Sequence, residues 1–119
     1  TGRSVVVEWI DGDMLVVDTP VGTIYYLYGD DGTSGSPQSY IRFNTLSRLR
    51  QDKGGVMTSD EVRDALSSVA QSKFPGENGG ENTCWSIVYD QQNATAFFYN
   101  TEDWEHPYTL GLCEPDWIM

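Results

Sequence analysis

Cations are the scarce charges in this chain: 7 Lys and Arg stand against 18 Asp and Glu in 119 residues, a formal net charge of -11. A field of that sign repels phosphate backbones and anionic headgroups, so neither nucleic acid nor an anionic membrane is an expected partner. Histidine occurs once, at His106, and one histidine makes neither a metal site nor a catalytic dyad by itself. No cofactor is implied. Two cysteines, Cys84 and Cys113, are too few for a disulfide framework, and Cys84 falls inside a strand pattern, so buried thiols are expected. No apolar run approaches a membrane span, and no basic segment followed by an apolar one marks an export signal. The chain begins at Thr1 without a methionine, which leads us to expect that an upstream segment has been removed.

What is present is enough to fold. Hydrophobic residues make up 39% of the chain and aromatics 13%, which argues against disorder, and the length suits one domain or one piece of a larger one. Two runs carry the strongest signal. Thr83 to Asp90 and Ala94 to Asn100 are rich in aromatic and β-branched residues and flank the polar Gln91-Gln92-Asn93, the sequence form of an antiparallel hairpin.

An earlier hairpin is expected from Ser4 to Ile10 and Met14 to Asp18 around Asp11-Gly12-Asp13. Its apolar runs are nearly continuous, which predicts cover on both faces of at least part of the sheet. Thr23 to Tyr28 reads as another extended piece and Gly29 to Pro37 as loop. The period then changes. Ile41, Leu46 and Leu49 with Tyr40 and Phe43 predict a helix from about Ser39 to Asp52, stopped by Gly54-Gly55. Thr58 as N-cap with Glu61 predicts a capping box, opening a helix whose buried stripe is Val62, Leu66, Val69 and Ala70 and which runs to the Pro75–Gly80 segment. A short strand over Tyr108 to Leu112 follows a loop at Thr101 to Pro107. The order hairpin, helices, hairpin predicts an α+β fold: an antiparallel sheet with helices on one face.

Several polar residues carry only ordinary readings. Glu8, Asp11, Asp13 and Asp18, with Asp30-Asp31, lack the alternating oxygen spacing of a calcium loop and are expected to be solvated carboxylates. Cys84 has no activating base beside it in the sequence. Asn93-Ala94-Thr95 fits a glycosylation sequon at a turn where polar residues are expected in any case. His106 is expected to be a loop residue, and Tyr25-Tyr26-x-Tyr28, Trp104 and Trp117 are candidates for an aromatic interaction surface.

Three stretches together resemble the C-terminal part of the linear amide C-N hydrolases, the N-terminal-nucleophile group that includes choloylglycine hydrolases and penicillin V acylase. They are Gly2-Arg3-Ser4-Val5-Val6-Val7-Glu8-Trp9 with Asp18-Thr19-Pro20-Val21-Gly22; Ser39-Tyr40-Ile41-Arg42-Phe43; and Thr83-x-Trp85-Ser86-x-Val88-Tyr89-Asp90 leading to Phe98-Tyr99 and Trp104. Their order and spacing over nearly the whole chain carry the likeness. The resemblance implies one portion of an αββα sandwich in which an N-terminal residue attacks an amide carbonyl while its α-amine handles the proton. It implies Arg42 as the active-site arginine that steadies the nucleophile or the developing oxyanion. Asn44, on the same helix, is a candidate donor to a substrate carbonyl by its own amide chemistry. Tyr25-Tyr26 stands where the family usually has Thr-Asn. Thr1 is a chemically possible nucleophile, but Gly2-Arg3-Ser4 matches an internal strand, so the usual cysteine is expected on the missing upstream part. That part, or a second copy of the chain, is the expected polypeptide partner, and a small-molecule amide the expected substrate. The alternative is a non-catalytic binding module built on the same fold fragment.

Overall fold

The computed structural model describes residues 4–22, 36–74 and 82–112. The chain divides into two compact units, Thr1–Gln51 and Asp52–Met119. Among the described residues the fold is α+β, with two antiparallel sheets and two α-helices.

The first unit opens with a hairpin of β1 (Val5–Ile10) and β2 (Asp13–Asp18), paired from Val5↔Asp18 to Ile10↔Asp13. Asp11 (φ 52°) and Gly12 (φ 84°) are both left-handed, the two-residue turn whose twist matches the strands. Opposed residues share a face. Val5, Val7, Trp9, Met14 and Val16 lie on one side, and all are exposed, so the expected cover on both faces is not seen. The near-continuous apolar pattern reflects one water-facing apolar ladder rather than a doubly buried strand. Glu8, on the other side, is buried and engaged, a correction to the solvated reading. Beyond β2, the Thr19 hydroxyl donates to Val21 O (2.9 Å) and accepts from Val21 N (3.3 Å). That turn folds Gly22 back onto β1: a Cβ there would lie 3.2 Å from Val6 Cγ2.

The helix α1 (Pro37–Asp52) begins two residues before the expected Ser39. Ser36 accepts from Ser39 N through its side chain at 3.2 Å, and Pro37 takes the first helical position, where its missing N–H costs nothing. Gly54 and Gly55 are left-handed after its end, as expected. Tyr40, Phe43, Leu46 and Leu49 are half-buried on the expected face, with Ser39 buried among them, whereas Ile41 is exposed against expectation. The extended piece expected at Thr23 to Tyr28 and most of the following loop lie outside the described residues.

In the second unit the helix α2 (Ser59–Ser68) has the expected capping box: Thr58 Oγ1 accepts from Glu61 N (3.2 Å) and Glu61 Oε1 accepts from Thr58 N (3.4 Å). It ends earlier than expected. Val69 N and Ala70 N bond to Leu66 O and Ser67 O, tightening the last turn before a 3-10 segment at Gln71–Lys73. Val69 and Ala70 nonetheless remain buried.

The sheet of this unit has the order β3 (Trp85–Asp90), β4 (Thr95–Asn100), β5 (Tyr108–Gly111). Helix α2 packs on β3. Register puts Val88 and Tyr99 on one face, each 3% exposed, and with Ala65, Val69 and Ala70 they form the core beneath α2, while Ala96 is buried among larger neighbours on the opposite face. The opposite face carries Trp85, Ile87, Tyr89, Phe98, Tyr108 and Leu110. Trp85, Tyr89 and Tyr108 there are 59%, 60% and 65% exposed.

Removing the cap by Thr58→Ala is expected to lower stability by about 1 kcal/mol. Val88→Ala, which strips two carbons from the core, is expected to cost about 2 kcal/mol or more. Urea unfolding measures both, and equal midpoints for Val88→Ala and the parent would contradict the placement of the core.

Candidate functional site

The candidate site residues do not converge in what is described. Thr1 lies outside the described residues. Arg42 is half-buried and engaged on α1, whereas Asn44 is exposed two residues on. Two steps of a helix turn side chains about 200° apart, so this pair does not share one face. Cys84 is exposed and unpaired, contrary to the expected buried thiol; it precedes β3 rather than sitting within it, and its carbonyl accepts from Thr101 N at 2.8 Å. No cluster of three or more His, Cys, Asp and Glu able to hold a metal occurs among the described residues.

Two places in the second unit gather polar chemistry. The first is an open cleft of about 720 Å³ between the start of α2 and the β3–β4 turn, lined by Thr58, Ser59, Tyr89, Asp90 and Asn93 among others. Asp90 sits in it as a brace. Its carboxylate accepts from Asn93 Nδ2 (2.8 Å), Asn93 N (3.1 Å) and Ser59 Oγ (3.2 Å). Those donors, the Asn93 side chain foremost, hold its pKa below the ordinary value. A carboxylate so satisfied is a poor base, and it ties the hairpin turn to the helix. The Asn93 of the sequon is exposed and held in that turn by the same carboxylate.

The second place is the edge of the sheet's open face. Trp85, Phe98 and Tyr108 lie on three neighbouring strands and form a row, with ring centroids 6.3 Å apart at each step. The loop joining β4 to β5 closes this end and carries Asp103, Glu105 and His106, all exposed. His106 Nδ1 lies 2.9 Å from Asp103 Oδ1, and that hydrogen bond raises the imidazole pKa above its ordinary 6.5. The loop is anchored from below. Glu102, left-handed at φ 59° after a left-handed Thr101, accepts from Thr83 N (2.9 Å) and from the Ser72 hydroxyl. Trp104 turns inward onto Tyr99, with centroids 5.4 Å apart, so it is not part of the exposed aromatic surface. Tyr25, Tyr26, Tyr28 and Trp117 lie outside the described residues.

His106 and Asp103 make an acid–base pair with no described nucleophile hydrogen-bonded to it, and Asp90 is spent on structure. The aromatic row, by contrast, presents flat apolar surface on the open face of the sheet. Sequence reasoning placed the β3–β4 hairpin but missed the row, because Tyr108 joins it only through the β4–β5 register.

No protein-family model, no curated protein and no solved structure matches the chain. No helix among the described residues is long and apolar enough to cross a membrane.

A raised histidine pKa stabilises the folded state at pH below the imidazole's ordinary value, and that contribution is lost as pH rises through the raised one. NMR titration is expected to place the His106 midpoint above 6.5, and Asp103→Asn to bring it down. A midpoint unmoved by Asp103→Asn would remove this pair from the site.

Proposed function

We propose that the chain is the C-terminal scaffold portion of an amide C-N hydrolase or acyltransferase, acting on linear non-peptide amides through an N-terminal nucleophile on an upstream segment. The observation that supports this reading is the layer pattern. The second unit has a helix on one face of an antiparallel sheet and an uncovered apolar face on the other, the half-arrangement an αββα sandwich needs. The turn at Asp18-Thr19-Pro20-Val21-Gly22, folded closely on β1, and the Trp85-to-Asp90 strand are two of the three stretches of the resemblance.

In this reading the chain supplies sheet and helix, and the chemistry belongs to the upstream residue. Its thiol attacks the amide carbonyl, its α-amine, with an unperturbed pKa of about 8, takes and returns the proton, and water then releases the acyl group. Arg42 is the residue of this chain proposed to face that site. The exposed aromatic face favours a second reading, a non-catalytic interaction module of the same fold fragment.

Mass spectrometry of the native protein is expected to find a mature N-terminal cysteine upstream of Gly2. The whole protein should then hydrolyse an N-acyl amide, and Arg42→Ala should slow it by about a hundredfold or more. The isolated chain should be inactive with or without Thr1→Ala. A native polypeptide lacking any N-terminal Cys, Ser or Thr would overturn the proposal.

A further inference from the structure

The β3–β4–β5 sheet ends, on one side, in a strand that nothing guards. Cys84 O accepts from Thr101 N, which fixes the alternation of the β3–β4 ladder: Ser86, Val88 and Asp90 turn their N–H and C=O groups to β4. Trp85, Ile87 and Tyr89 turn theirs outward, and among the described residues no backbone bond reaches them. Edge strands are ordinarily protected by charged side chains, Pro, a bulge or shortness. β3 has none of these: its register runs unbroken from Trp85 to Asp90, and residues 83–89 carry no charge. The other strands are guarded. β5 is four residues long, β1 carries Glu8 within it, and β2 has an aspartate at each end. The cleft at the start of α2 opens onto the β3 edge, since it is lined by the consecutive Val88, Tyr89 and Asp90, whose side chains alternate between the two faces.

We infer that β3 pairs edge to edge, antiparallel, with β3 of a second copy of the chain, centred on Ile87. Only an extended backbone meets a row of alternating N–H and C=O groups at strand spacing, and two-fold pairing about Ile87 lets each copy satisfy the other. That register sets Trp85 directly opposite Tyr89 of the second copy on the open face, and the reverse, where the two rings are 59% and 60% exposed in the single chain. Directly opposed aromatic pairs stabilise a sheet. On the other face the register carries the exposed Cys84 of the second copy alongside Asp90, at the cleft. The occupant is a second copy because the edge complements itself: hydrogen bonds match, rings oppose rings and no like charges meet. The charge of -11 on each copy opposes association, but the first charge on β3 is Asp90, already held by Asn93 and Ser59. Screening over about 8 Å at physiological salt confines the rest of the repulsion, so pairing is expected to tighten as salt is raised. The inference stands apart from the amide-hydrolase reading, because it lengthens the sheet at its edge and its readout is association rather than hydrolysis.

Sedimentation equilibrium of the full chain at physiological salt is expected to show a monomer–dimer equilibrium. Hydrogen exchange at the Trp85, Ile87 and Tyr89 amides should be slow in the dimer and fast on dilution. Ile87→Pro removes one outward N–H and none of those bonded to β4, so it should abolish the dimer while the β3–β4 amides stay protected. Should that variant fail to fold, Trp85→Lys and Tyr89→Glu keep the test valid, since both rings are exposed. Each alone should weaken association by about tenfold, and mixing the two variants should restore it, because the register sets the introduced charges opposite each other. The inference is overturned by a chain that stays monomeric, by a dimer whose three amides exchange freely, or by a mixture that associates no better than either variant alone. Slow exchange of the three amides in the dilute monomer would overturn it in favour of a strand of the same chain.

Discussion

The seating of α2 on β3 is the contact on which the second unit depends. Val88 and Tyr99 form the floor and Ala65, Val69 and Ala70 the roof. Burial raises the Tyr99 pKa above its ordinary value, and Arg63 beside it works against that rise. The polar ties around this core all hold the same alignment: Ser59 to Asp90 at one end, Gln71 N to Thr83 Oγ1 and Thr83 N to Glu102 at the other. Hydrogen bonds of this kind contribute about 1 kcal/mol each, so apolar burial supplies the drive and the ties fix the register.

That core is made mostly of small residues, and its consequence is visible on the far side of the sheet. Tyr99 is the one large side chain in that core, while Trp85, Tyr89 and Tyr108 face water. A chain that leaves its largest rings outside its own core has put its greatest burial potential on a surface. The same holds for the first hairpin, where Val5, Val7, Trp9, Met14 and Val16 share an exposed face. Each unit thus presents an apolar ladder.

Elements were legible where local chemistry decides them. Asp11-Gly12 fixes its turn, Thr58 with Glu61 fixes the start of α2, and Gly54-Gly55 ends α1, because caps and left-handed turns depend on residues three or four apart. The start of α1 was equally local, but the Ser36-Pro37 signal lay within residues read as loop. What local chemistry does not decide is which face of a strand meets a neighbour. Glu8 is buried and Cys84 exposed against their expected states, and Ile41 is exposed on a helix whose spacing pointed it inward. Each of these depends on packing across elements distant in sequence.

The site follows the same division. Arg42 was nominated by likeness to a motif and Asn44 by its amide chemistry, and helix geometry alone separates them by about 200°. The aromatic row needed the sheet register, since Trp85, Phe98 and Tyr108 are 13 and 10 residues apart in sequence yet meet at successive 6.3 Å steps. Its flanking loop is held by the left-handed pair Thr101 and Glu102, a conformation that a β-branched threonine adopts only when its surroundings enforce it. Glu102 supplies that enforcement through Thr83 and Ser72, so the loop after β4 is placed by the same contacts that close the core. The β4–β5 loop and the core beneath it are therefore one construction.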